Sequence, residues 1–268
     1  MRFLVYIFSI FLLLPSQTER YYIIKIKGEI TNVQTGKILA QGDEIQSNDH
    51  LKFSDADAMA TVVSDNKNKY SLSLDNNMYN NEILMSYVKN ALKLIKTKRV
   101  ATRSIITNAP IADLKTFLGD NEFTVIGSSL RVRLSKQRFE NQSVEVKFDL
   151  AGKQINKELI VGDTVLSISR KDLGAKSAGE VKLYHVDFYQ RDKSRESIEK
   201  ITRLDLNFID EPPLRDELKT IMGVYKKKNY TKQEMKAFLM EYFIDFYGNT
   251  HEYLLSQYID KLIEENMK

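Results

Sequence analysis

Residues 144–150 read Val-Glu-Val-Lys-Phe-Asp-Leu, four apolar side chains separated one by one by three charged ones. Successive side chains of a strand point to opposite faces, so this spelling puts Val144, Val146, Phe148 and Leu150 on one side and Glu145, Lys147 and Asp149 on the other. The same alternation recurs at Leu130, Val132 and Leu134 around Arg131 and Arg133, and at Leu204, Leu206 and Phe208 around Asp205 and Asn207. Strands that are apolar on one side and polar on the other predict antiparallel sheets with one wet face.

Outward from that stretch, Ala151-Gly152-Lys153 supplies a hairpin connection and Val161-Gly162-Asp163-Thr164 a further turn. With Val165 to Ile168 and Val181 to Phe188, six or seven strands predict an immunoglobulin-like sandwich over residues 121–211. Topology inside that class stays open, because the chain has no Cys and no Trp to form the Cys-Trp-Cys signature. Upstream, Tyr22, Ile24 and Ile26 alternate with Tyr21, Ile23, Lys25 and Lys27, and further short strands are expected at Ile38 to Ala40, His50 to Phe53, Met59 to Val63 and Tyr70 to Leu74. These form a first small β-domain, residues 17–80. Between the two lies a change to helical period: Ile83, Leu84, Tyr87, Val88, Ala91, Leu92 and Ile95 make one stripe, with Lys89, Lys93 and Lys96 beside it. A second short helix follows Pro110 and stops at Gly119, so residues 81–120 are expected to be linking helices. From Pro212 onward the chain is helical, residues 212–268, with a capping-box pattern at Thr231-Lys232-Gln233-Glu234 and Gly248 as a helix stop. The fold class is mainly β (α+β).

Composition limits the function. With 268 residues, 43% apolar and 28% charged, the chain can bury one large core or several small ones. The lack of Cys removes disulfides, thiol nucleophiles and Cys-ligated metals. Phe3 to Leu14 is apolar except for Ser9; as a helix it spans roughly 18 Å, short of the ~30 Å bilayer core. With Met1-Arg2 before it and Pro15-Ser16 after it, it reads as a signal peptide, residues 1–16, cleaved after Ser16, which makes the protein periplasmic or exported to the cell envelope. Membrane contact is expected only through that segment before cleavage. Without Arg2 the basic excess falls from 40 against 36 to 39 against 36, too small and too dispersed for a nucleic-acid binder.

Reactive constellations are sparse. His50, His185 and His251 lie far apart with no partner at metal-ligand spacing. Asp55-Ala56-Asp57 begins like a calcium loop but lacks the Gly and terminal Glu that such a loop needs. There is no G-x-S-x-G and no phosphate-binding glycine loop, and Gly127-Ser128-Ser129 reads as a turn. Carboxylate pairs such as Glu145 with Asp149 are what 36 acidic residues produce by chance. No catalytic residue, cofactor or metal is expected. Two features suit a partner instead. Lys89, Lys93 and Lys96, continuing to Lys98, Arg99 and Arg103, and separately Lys226-Lys227-Lys228, offer basic faces, although solvated helix edges look the same. Tyr247 and Tyr253 stand off the main apolar stripes of the tail and could face a partner, although bundle packing accounts for most of the aromatic cluster around them.

Ile26-Lys27-Gly28-Glu29-Ile30, then Leu39-Ala40-Gln41-Gly42-Asp43-Glu44-Ile45, then Ala58 to Val63 and Tyr70 to Ser73 resemble the β-domain of the FecR-like proteins of bacterial envelopes, over about a fifth of the chain. That family ends its alternating strand in a D-G-S-type turn, which this chain replaces with Asp65-Asn66-Lys67-Asn68-Lys69. The order of segments, with Gly152-Lys153, Asn156-Lys157-Glu158-Leu159 and Phe246-Tyr247-Gly248, also resembles a group of exported Gram-negative proteins to which no activity is assigned. The expectation is a non-catalytic exported protein that binds or scaffolds another envelope protein. One alternative is a periplasmic signal relay in the FecR manner. Another is a carbohydrate-active or hydrolytic enzyme with two convergent carboxylates.

Overall fold

The computed structural model of the chain describes residues 19–74, 84–97, 110–140, 142–150, 152–159, 161–162, 165–174, 183–226 and 229–266. The expected signal peptide, the basic residues Lys98, Arg99, Arg103, Lys227 and Lys228, and the Asp163-Thr164 turn lie outside these. The chain forms two compact units that divide between Ile95 and Lys96.

The first unit holds β1 (Arg20–Lys27), β2 (Ile30–Asn32), β3 (Lys37–Ile38), β4 (Glu44–Gln46), β5 (His50–Phe53), β6 (Met59–Ser64), β7 (Lys69–Ser73), β8 (Met85–Tyr87), the four-residue α1 (Val88–Ala91) and β9 (Leu92–Leu94). They make two antiparallel sheets, ordered β4-β1-β6-β7-β9 and β3-β2-β5-β8. Ile23, Ile30, Ile45, Leu51, Phe53, Val62 and Leu72 fill the space between them, each at most 1% exposed. Two glycines of the first unit meet a backbone requirement. Gly28 has φ +74°, and a Cβ there would stand 2.9 Å from that of Ala58; Gly42 has φ +90°. Beside Gly42, burial raises the pKa of the Asp43 carboxyl, but Lys37 at 2.6 Å and the Ala40 amide at 2.8 Å outweigh it and the net direction is down.

The helix expected over residues 82–96 does not form. Met85–Tyr87 pairs with β5, Leu92–Leu94 pairs with β7, and only Val88–Ala91 between them is helical. The stripe misled because Leu84-Met85-Ser86-Tyr87 and Leu92-Lys93-Leu94 are short enough to satisfy either period. The open ladder edges of β5 and β7 decided between them, since pairing satisfies backbone groups that a free helix would leave exposed on the sheets. Of the expected linker of helices, residues 84–94 therefore complete both sheets of the first unit, and residues 110–120 belong to the second.

That second unit comprises α2 (Leu114–Leu118), β10 (Glu122–Ile126), β11 (Ser129–Arg133), α3 (Lys136–Phe139), β12 (Gln142–Leu150), β13 (Lys153–Leu159), β14 (Val161–Gly162), β15 (Val165–Ser169), β16 (Leu183–Asp192) and β17 (Ser197–Ile209). Asp113 caps α2 by accepting from the amides of Lys115 and Thr116, and Gly119 ends it, as its position after Leu118 predicted. The sheets run β10-β17-β16-β12-β13 and β11-β15-β14. Val144, Val146, Val186, Phe188 and Leu204 from one meet Leu166 and Ile168 from the other in a single core. Lettering β11 to β17 in chain order B, C, C′, D, E, F and G, the sheets read G-F-C-C′ and B-E-D, the strand order of an immunoglobulin-type sandwich. One pairing departs from the antiparallel expectation: β10 runs parallel to β17, Phe123 beside Leu206 and Val125 beside Phe208. Alternation records which face of a strand is buried, not its direction, so nothing in residues 122–126 announced this.

Three helices close the chain: α4 (Glu211–Lys226), α5 (Lys232–Tyr247) and α6 (Glu252–Asn266). Thr231 and Glu234 form the capping box in both directions. The helices pack through Leu218, Ile221, Tyr225, Met235, Leu239, Phe243, Leu255 and Ile259 and lean on the sandwich. Thr124 of β10 donates its amide to the Asn249 carbonyl and its hydroxyl to the Tyr247 carbonyl, both at 2.6 Å.

Candidate interaction surface

Register places the side chains on the outer face of the four-stranded sheet. Leu51 and Phe53 point into the core, so Lys52 and His50 point out, and the pairings Thr31 with Ile38, Thr31 with Lys52 and Lys52 with Met85 make one row across the four strands. The next row holds Val33, whose amide donates to the His50 carbonyl at 2.8 Å, then His50, then Tyr87. Ile38 is 57% exposed, Tyr87 46% and Val33 42%. The His50 and Tyr87 rings stack at 4.8 Å, and the Lys89 ammonium lies 5.8 Å from the centre of the Tyr87 ring.

The β2–β3 hairpin that presents Val33 and Ile38 is tied down at both ends. The Asn32 side-chain oxygen accepts from the amides of Gln34 and Thr35, its nitrogen donates to Asp49, and the Gln34 oxygen accepts from the His50 amide at 2.8 Å. The apolar side chains are thus held outward by a hydrogen-bonded turn. The five-stranded sheet of the same unit differs: Tyr22, Ile24 and Val63, on the side away from the core, are buried too.

The wet face of the sandwich carries charges that neutralise one another across strands. Glu145 pairs with Arg191, Asp187 with Lys200 at 2.7 Å and Arg203 at 3.2 Å, His185 with Asp205 at 2.5 Å, and Glu158 with Lys193 at 3.3 Å, while Lys147 lies over the Tyr189 ring. Glu145 is therefore committed to Arg191 rather than converging with Asp149. Among the described residues no group of three or more His, Asp or Glu could hold a metal ion, and no helix is long and apolar enough to cross a membrane. His251 stacks on Phe117 at 4.6 Å, where burial lowers its pKa. The Asp55-Ala56-Asp57 stretch is a turn in which Asp55 accepts from the Asp57 amide.

The residues picked from sequence for a partner scatter. Tyr247 is built into the helical subdomain: its ring packs on Phe243 at 5.4 Å and its hydroxyl meets the Glu217 carboxylate. Burial first, then Glu217, pushes its pKa well up. Glu217 also accepts from the Tyr242 hydroxyl at 2.5 Å, so the off-stripe tyrosine serves a buried carboxylate. Tyr253 is half-buried and its hydroxyl accepts from Gln257. Lys93 lies on the outer face of the five-stranded sheet, opposite Ser71, and Lys96 is exposed just past β9. Only Lys89 joins the outward rows of the small sheet. Val33, Ile38, His50 and Tyr87 were missed because their common face exists only once four short strands are in register. No protein-family model matches the chain, and comparison with the curated proteins finds no similar one.

Proposed function

We propose that the protein is a non-catalytic binding or scaffolding component of the bacterial cell envelope, and that the outer face of the β3-β2-β5-β8 sheet is where it engages its partner. The observation that carries this reading is the concentration of Val33, Ile38 and Tyr87, three large and substantially exposed apolar side chains, on one sheet face. Export is inferred from Phe3 to Leu14, and the FecR-like glycine turns fit an envelope domain.

The test is affinity capture from an envelope extract by the chain starting at Gln17, compared with an Ile38→Asp/Tyr87→Asp variant. The wild-type chain retains a protein that the variant loses, with unchanged thermal unfolding. Equal retention by both would remove the sheet face from the reading. N-terminal sequencing of the native protein checks the export step: a terminus at Gln17 supports it, and an intact Met1 on soluble protein inside the cell contradicts it.

A further inference from the structure

Resting on that reading, we infer that the partner presents a protein segment in which carboxylates stand among apolar side chains. The two outward rows contain Ile38, Thr31, Lys52, Met85, Val33, His50 and Tyr87, with Lys89 over the last ring. The rows hold no carboxylate; Glu29, two residues before Thr31, is one row further along. Among the described residues, neither Lys52 nor Lys89 has a carboxylate within ion-pair distance. This sets them apart from the sandwich, where Lys193, Lys200, Arg191 and Arg203 all have carboxylate partners. Neighbouring strands are about 4.8 Å apart, so Lys52 stands directly between Thr31 and Met85. An occupant that covers the apolar groups must also cover this ammonium, and leaving it buried without an opposite charge is strongly unfavourable.

Charge selects among occupants. A second copy meeting this one through the same face brings Lys52 and Lys89 toward their own counterparts, because a two-fold contact matches a patch to itself. A bilayer takes up apolar groups that enter it by roughly 5–10 Å. Here they project from one sheet face, with Thr31 and Met85 half-buried in its middle. A protein surface with apolar side chains and carboxylates satisfies both the rings and the lysines.

The cysteine-free chain makes the test direct. Val33→Cys, labelled with a maleimide-benzophenone, is irradiated with an envelope extract, and the attached peptide is sequenced by mass spectrometry. Ile38→Cys gives a second reporter on the face, and Ile198→Cys, on the sandwich hairpin, is the control. The expected result is a protein adduct from both face positions and not from the control, through a peptide with Asp or Glu among apolar residues. Its yield falls at least tenfold in Lys52→Glu/Lys89→Glu and persists in Lys52→Arg/Lys89→Arg. A protein adduct through a peptide without carboxylates, or one indifferent to charge reversal, overturns the inference and leaves the binding reading standing. An adduct with lipid or with a second copy also overturns it. No adduct from either folded, labelled face variant overturns both.

Discussion

The two units treat their sheets differently. In the second, the outer side of β10 is held by the Tyr247–Asn249 segment, and β11 is flanked by Ile111, which exchanges backbone hydrogen bonds with Arg133 and Ser135 at 2.8 Å. The remaining long edge, β13, carries Lys157 among the core-side positions Ile155 and Leu159, paired with Asp172, which Ser169 holds through its hydroxyl and amide. A charge pointing inward on an edge strand discourages a foreign strand from docking there. The first unit leaves Ile38 on edge strand β3 and Leu94 on edge strand β9, 57% and 61% exposed, without such a guard. The two units thus differ in whether an inward charge stands on their long sheet edges.

Five measurements break or sharpen that comparison. The largest effect belongs to Phe188→Ala, which empties the centre of the sandwich and costs about 3–5 kcal/mol. Urea unfolding followed by hydrogen exchange shows β12, β16 and β17 losing protection while β5 and β6 keep theirs; equal loss in both units would show that they fold as one. Next, Tyr242→Phe removes a donor from the buried Glu217 carboxylate and lowers the stability of the helical segment by about 1–3 kcal/mol, read from exchange in α4 and α5. Thr231→Ala breaks the capping box for about 1 kcal/mol, seen as faster exchange in the first turn of α5 and no change in the first unit.

The smallest effect concerns the edge guard. Burial raises the Asp172 pKa, but hydrogen bonds from Lys157 and Ser169 bring the net value below the ordinary carboxylate range. A lowered folded value stabilises the native state above the unfolded pKa of about 4, and that contribution is lost as pH falls through the folded one. Both partners are partly exposed, so the pair contributes about 0.2–1 kcal/mol. Exchange at β13 therefore rises below about pH 4, and Asp172→Asn removes that pH dependence. Self-association of Lys157→Val, followed by light scattering, increases if the guard works as described.

Strand identity was readable where alternation ran long. Val144 to Leu150 and Leu204 to Phe208 each offered several turns of one period, and hydrophobic burial obeyed them. It was ambiguous at Met85–Tyr87 and Leu92–Leu94, whose three residues each fit helix or strand until β5 and β7 supplied open ladders. The proposed interaction face was less legible still. Thr31, Ile38, His50 and Tyr87 come from four strands and Val33 from the turn after β2, spread over 57 positions of the chain numbering, from 31 to 87 counted inclusively, and their shared orientation is a property of register. Tyr247 shows another limit of local spelling: off the stripe of its own helix, it meets a buried partner, Glu217, on another.

The sequence by itself determined two β-rich segments followed by three helices, the stops at Gly119 and Gly248, and the Thr231 capping box, because these depend on contacts between residues close along the chain. Tertiary structure alone decided the parallel pairing of β10 with β17, the conversion of an apparent helix into two sheet edges, and the gathering of apolar and basic side chains onto one small sheet. Each of those joins residues far apart in the chain, where the free energy comes from satisfying a neighbour's backbone or burying a neighbour's surface, and local spelling carries no record of who that neighbour is.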